Sequence, residues 1–404
     1  MKSLSVAVCF VFLALALASG SCAQEPGVLK VGVMAPLTGP AASHGLLAYR
    51  HAVLEAERIN NAGGVTVGGK QYQIELVPAD TQGSPPVGVT AAEKLISQDK
   101  VKFILGPMSA PVYKSVASLL NDNKVIHLHW TVVAWSLGTD YPFGFRAYAM
   151  ISEYIYPSWK FIAENYPDVK TVAIMTVDDE QGYLGVSLTK RACEEFGINV
   201  VEEVYISYGT REFYSLFAPV LAADPDIIDL TGLDYVSAAY LVKQLSEVGY
   251  TGDFHVSHQM QLLYMVSVAG AAAIEGFTCV GLPYETLSPR LLEQKEDYIE
   301  RWGEGEYSEA GVVFLDALGL LVQGIEEADS LEASEVKSAL EGMVYESPVF
   351  GTCEFGGYEW YGVNHQMIQP ITMGKITNGN FVPIHEYDKD EVMEMLEYFY
   401  TESE

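Results

Sequence analysis

Basic residues are scarce in this chain of 404 residues, where 23 lysines and arginines face 53 aspartates and glutamates. That imbalance excludes binding to nucleic acid or to an anionic membrane through charge, and its ordinary consequence is solubility. An anionic solute would need local donors to overcome the field of the whole molecule. Cysteine is rare as well: Cys9 and Cys22 fall in an N-terminal leader, leaving Cys193, Cys279 and Cys353. Three cysteines make no disulfide framework, and no pair has the spacing of a zinc site. One bridge is open to an oxidising compartment, with Cys279 and Cys353 the expected pair because both fall in predicted strands. Beyond the leader no apolar run is long enough to span a bilayer. Also missing are an internal repeat, a low-complexity linker, a Gly-rich phosphate loop after any strand and an identifiable Ser-His-Asp order.

What is present is a globular balance, 49% hydrophobic and 19% charged, over a length that suggests two domains of similar size. Met1-Lys2 and the apolar "LSVAVCFVFLALALA" open a secretory signal. Ser21 and Ala23 fit the −3 and −1 positions of a cleavage site, so residues 1–23 are read as a signal peptide. Its removal takes one lysine and no acid, leaving 22 basic against 53 acidic residues and a net charge of −31. The rival reading anchors the protein by lipid at Cys22, although Ser19 stands where such signals usually carry leucine. On both readings the protein works in the periplasm or at the extracytoplasmic face.

After the leader, strand and helix alternate. "LKVGVMAP", "KQYQIELVPAD", "VKFILGP" and "VIHLHWT" read as strands, separated by helical stretches such as "SHGLLAYRHAVLEAERINNAGG", for which Ser43 is a plausible cap. A second series begins near Ser152, with "KTVAIMTV", "NVVEEVYI", "DIIDLTG" and "GDFHVS" as strands. Continuous apolar strands between helices indicate parallel sheets covered on both faces. The fold class expected is therefore α/β, as two doubly wound lobes. In the tail, Asn378-Gly379 signals a hairpin and "DKDEVMEMLEYFYTESE" an acidic amphipathic helix.

In open parallel sheets ligands bind beyond the carboxyl ends of the strands. The loops "MAPLTGPAASHG", "GPMSAPVY" and "HWTVVAW" hold those places in the first series, and "VDDEQGYLG", "TGLDYVS" and "VSHQMQ" in the second. Two lobes facing each other with such rims make a hinged clamp. His127-x-His129 points both rings to one face of its strand. Buried imidazoles bonded to backbone are the expectation there, with a zinc site completed by His255 or His258 as the sharper alternative. Asp178-Asp179 reads as a solvated loop rather than an acid/base pair.

The stretches "KVGVMAPLTGPAASHGLLAYRHAVLEAERINNAGGV", "ILGPMSAPVYKSVAS", "FGFRAYA" and "IEGFTCVGLPY" resemble the exported solute-binding proteins of the leucine/isoleucine/valine-binding type, over essentially the whole mature chain. The resemblance implies a type I periplasmic binding fold with a three-crossing hinge. The first lobe would span 27–147 plus 280–371, and the second 148–279 plus 372–404. It implies a monomer that delivers a small solute to a membrane ABC permease, without catalysis, metal or cofactor. Sensing for a membrane receptor is the other role open to such a module, and a secreted hydrolase or metal-binding protein is the competing class.

Carried onto this sequence, the family's carboxylate loop falls on Met108, Ser109 and Ala110. A second loop puts Thr131 and Val133 at contact positions. The aromatic clamp falls near Gly182-Tyr183, with Tyr183 as its replacement, and another aromatic position falls near Leu233. His258 stands where amino-acid binders place an acid for the α-ammonium, a charge-assisted bond of roughly 1.5–3 kcal/mol. Asp234 is the available substitute. Tyr113, Trp130, Trp135, Tyr148 and His44 are expected to add flat walls and hydrogen-bond tips. An aromatic or apolar carboxylate is the first expectation for the ligand, and a branched-chain or other amino acid the alternative.

Overall fold

The computed structural model describes residues 25–39, 41–131, 133–259, 262–281, 288–307 and 311–402. The leader, with Cys22, lies outside the described residues. The strands of the first half are β1 (Gly27–Ala35), β2 (Val65–Val67), β3 (Lys70–Asp80), β4 (Phe103–Leu105), β5 (Ile126–His129) and β6 (Gly144–Arg146). There follow β7 (Thr171–Val177), β8 (Asn199–Ile206), β9 (Ile227–Asp229), β10 (Asp253–Gln259) and β11 (Thr278–Gly281). The last are β12 (Val344–Ser347), β13 (Gly351–Gly356), β14 (Gln366–Ile368), β15 (Ile371–Thr377) and β16 (Asn380–Tyr387).

They form two sheets, in the orders β12-β13-β14-β6-β5-β4-β1-β3-β2 and β16-β15-β11-β10-β9-β7-β8. Each has a parallel centre, with antiparallel strands at β2, β12 and β13 in one and at β15 and β16 in the other. The fold is thus two α/β lobes built on mixed sheets. The chain passes between the sheets three times, after β6, after β11 and between β14 and β15. Because β11 reaches Gly281 and β15 starts at Ile371, both within the second sheet, the expected lobe boundaries at 279/280 and 371/372 fall inside strands.

The continuous apolar strands follow from burial on both faces. In β4, Phe103 and Leu105 enter one core, beneath helices Ala42–Asn61 and Val312–Ala328. Ile104 between them enters the opposite core, beneath helices Pro85–Ser97 and Ala110–Asp122. The second sheet repeats this, with Ile174 on one side of β7 and Ala173 and Met175 on the other. A half-exposed strand would have shown polar alternation instead.

At the hinge the first and third crossings are pinned side by side. Fully buried Arg146 pairs with Glu153 at 2.8 Å and also bonds Tyr361 and Gln366. Gln369 accepts from the Ala149 amide at 3.0 Å, and Gln366 donates to the Tyr148 carbonyl at 3.2 Å. Breaking a buried pair such as Arg146–Glu153 from one side costs about 3–5 kcal/mol.

The tail hairpin turns at Asn378 and Gly379, both at positive φ (52° and 77°), as its sequence predicts. The terminal helix Lys389–Glu397 buries Val392, Met395 and Leu396. Two local expectations are corrected. Ser43 caps nothing: its helix starts at Ala42, and Ser43 sits exposed inside the first turn. Cys279 and Cys353 are free and buried, one in each sheet. Predicted strand character placed both cysteines in sheets but said nothing of which sheet.

Candidate functional site

A cavity of about 270 Å³ opens beyond the carboxyl ends of β7, β9 and β10, where open α/β sheets bind ligands. Its floor is apolar, made by Val177, Leu230, Val256, Ala238 and Met265, all buried members of the second lobe. Its rim is polar. Asp179 caps helix Glu180–Glu195, accepting from the amides of Gln181 and Gly182 at 2.8 and 3.0 Å through one oxygen. Asp234 caps helix Tyr235–Glu247, accepting from the Ser237 amide at 3.0 Å, while its other oxygen takes the Gly209 amide at 3.2 Å. Acid at a helix N-terminus complements the exposed amides and the helix dipole, which holds both carboxylates in place.

Three sequence-predicted residues meet at this cavity: His44, Asp234 and His258. His44, on helix Ala42–Asn61, is the first lobe's contribution, and its ring lies 5.6 Å from that of Tyr235 across the gap. Burial lowers its pKa, and the charge of Asp234 partly opposes that. His258, near the end of β10, is pushed down to about 4 by burial. Its Nδ1 is buried without a hydrogen-bond partner among the described residues. At neutral pH both rings are uncharged, and the charged side chains of the lining are, among the described residues, the two aspartates, with no lysine or arginine.

Apart from Leu233, the other predicted positions do not line the cavity. Met108 and Tyr148 pack against the first lobe's core. Ser109 occupies the cap position of helix Ala110–Asp122 without making the cap bond, and its Oγ is buried without a partner among the described residues. Ala110 begins that helix, half-buried. The rest of this rim turns inward. Tyr113 is fully buried, donating to the Ser136 carbonyl at 3.1 Å with His127 Nε2 at 3.2 Å. His127 Nδ1 meets the Val125 carbonyl at 2.9 Å, and His129 Nδ1 meets Thr131 Oγ1 at 2.9 Å. Trp130 points to the opposite face, edge-on to Phe314 at 4.7 Å. Val133 is buried and its carbonyl accepts from Ser136. The odd composition of "VIHLHWTVVAW" thus serves an internal polar and aromatic network.

Tyr183 is about half exposed (51%), bonds Asp178 and packs on Tyr205 at 5.4 Å. The reason lies one residue earlier. At Gly182 a Cβ would come within 1.9 Å of the Val177 carbonyl oxygen, so the inward position admits only glycine. The next residue is turned about 100° round the helix, away from the cleft.

Leu233 lies on the cavity wall. Sequence reasoning missed Asp179, read as part of a solvated loop, with Gln181, Tyr208, Tyr235 and the whole floor. Gln181 and Tyr235 lie in or beside loops already marked as strand-end rims. Tyr208 follows β8 with no motif, and Ala238 and Met265 read as ordinary helix core.

The family model for periplasmic binding proteins matches residues 28–380. A leucine-, isoleucine-, valine-, threonine- and alanine-binding protein of Pseudomonas aeruginosa is 25% identical over 87% of this chain and 95% of its own length. Among solved structures, a leucine-binding protein of Thermotoga maritima aligns at a TM-score of 0.74 and 20% identity, over 90% of this chain and 100% of that one. A solute-binding protein of Rhodopseudomonas palustris in complex with 3,4-dihydroxybenzoic acid aligns at 0.74 and 21%, over 90% and 98%. Among the described residues no helix is long and apolar enough to cross a membrane. Matched along most of its length, with two α/β lobes, three crossings and a cavity at the strand ends, the chain belongs to the type I periplasmic binding proteins, in the branched-chain amino acid transporter family.

Proposed function

We propose that the protein binds an apolar α-amino acid between its lobes and presents it to the permease of an ABC importer, without chemical change to the solute. The observation that carries this reading is the charge of the cavity: among the described residues, Asp179 and Asp234 on the rim, two neutral imidazoles and no cation. A solute bearing only a carboxylate would enter against that field. An ammonium beside Asp234 would gain a charge-assisted bond of roughly 1.5–3 kcal/mol. Its carboxylate would face the first lobe, which meets the cavity at His44. That lobe's Ser109 hydroxyl, outside the lining, stands without a partner among the described residues at a helix N-terminus that favours negative charge. The Pseudomonas aeruginosa relative, named for five amino acids, agrees with it.

A second reading is the carboxylate without an amino group, aromatic or otherwise apolar. What favours it is His258, a neutral ring with a free Nδ1 at the strand end, and the likeness to a protein solved with a dihydroxybenzoate. Calorimetry with L-amino acids and benzoates separates the two. Apolar amino acids should bind at micromolar Kd or better, and Asp234→Asn, which keeps a good helix cap, should weaken them at least tenfold. Binding of benzoates alone, unaffected by that substitution, would overturn the amino-acid reading in favour of the second.

A further inference from the structure

We infer that the solute's side chain is an aromatic ring and that it is housed in the second lobe, on the floor of the cavity, rather than between the lobes. The inference rests on the amino-acid reading above. Val177, Leu230, Val256, Ala238 and Met265 are each under 8% exposed and belong to that lobe's own core, yet all border the void. They come from three strand ends and two helices, Tyr235–Glu247 and Leu262–Ala269, so the recess is held by rigid elements rather than by a loop. The polar groups sit above it, and among the described residues the first lobe reaches it only through His44.

Volume decides the class of side chain. An apolar cavity of ~150 Å³ takes up one benzene ring. The cavity here, about 270 Å³, holds such a ring together with an amino-acid head, whereas alanine or valine would leave much of the floor empty. Unfilled apolar volume forfeits dispersion contacts and weakens binding. The upper wall matches a ring as well. Tyr208 and Tyr235 border the void, and Tyr235 already meets His44 at 5.6 Å and Tyr264 at 5.0 Å, geometry open to edge-on packing of one more aromatic group.

The test is calorimetry of the wild-type protein with alanine, valine, leucine, phenylalanine and tryptophan, and of the Ala238→Leu variant with the same panel. Phenylalanine or tryptophan should bind at least tenfold tighter than alanine or valine. Ala238→Leu, which grows into the floor, should weaken the aromatic amino acids at least tenfold and weaken them more than it weakens valine. If that variant does not fold, as judged by its thermal melt, the wild-type ranking still decides. Valine or leucine binding as tightly as phenylalanine would overturn this inference and leave the amino-acid reading standing. Failure of every amino acid, with benzoates bound, would overturn the amino-acid reading itself.

Discussion

The two rims that face each other are built on the same plan and used differently. On the first lobe, Tyr113, Trp130, Thr131 and Val133 are each 4% exposed or less, and the polar bonds of Tyr113 and Thr131 run to their own lobe. On the second, Asp234, His258 and Tyr208 border a void, and a ring nitrogen is left without a partner among the described residues. A polar residue at the carboxyl end of a strand is therefore no sign of a ligand contact by itself. What distinguishes the two rims is packing: the first lobe's strand-end side chains are packed over by their own lobe, whereas the second lobe's line a void. The first lobe's strand-end side chains turn into its own network, and the second lobe keeps the recess.

The contrast is open to breakage. The largest effect belongs to Tyr113→Ala, which empties a buried ring site and strands the Ser136 carbonyl. It should cost about 3–5 kcal/mol of unfolding free energy by urea titration. If it changed ligand affinity without changing stability, Tyr113 would belong to the site after all.

Acid comes next. His51 and His127 are held down to about 4 and His255 to about 3 by burial, and His129 lies well below its usual value for the same reason. Each folded ring stays neutral where the unfolded chain, near 6.5, takes up a proton, so their contribution to stability is lost as pH falls from about 6.5 toward 4. Asp229 and Asp316, raised by burial to about 7 and about 6, act in the opposite sense, losing stability as pH rises above the carboxylate range. The histidines outnumber them. Lowering pH from 7 to 5 should therefore reduce stability by at least ~2 kcal/mol. A flat urea midpoint across that range would show that the folded and unfolded chains take up protons equally, and would overturn the excess of buried neutral rings.

The smallest effect is expected at Tyr183. Exposed and bonded to Asp178, it should tolerate replacement by alanine with less than a twofold change in Kd and about 0.5 kcal/mol or less in stability. A tenfold loss of affinity would return it to the site.

Part of the site was legible. His44, Asp234 and His258 sit in stretches marked by the order of strands and helices, and in each parallel sheet that order places such stretches at the carboxyl edge. Tyr183 was misplaced because the resemblance aligned an aromatic residue without the carbonyl of Val177, which reserves the inner position for glycine. Ala238 and Met265 escaped notice because a helix residue facing a cavity obeys the same apolar spacing as one facing a packed core.

The sequence by itself determined two α/β lobes, because apolar strands without polar alternation admit burial on both faces and little else, and Asn378-Gly379 fixed its own turn through backbone sterics. Those are local or periodic constraints, complete within a few residues. Tertiary structure alone decided which cysteine entered which sheet, which rim turned inward and where the void remained. Those outcomes depend on atoms from distant segments competing for the same space, and no single stretch of chain carries that information.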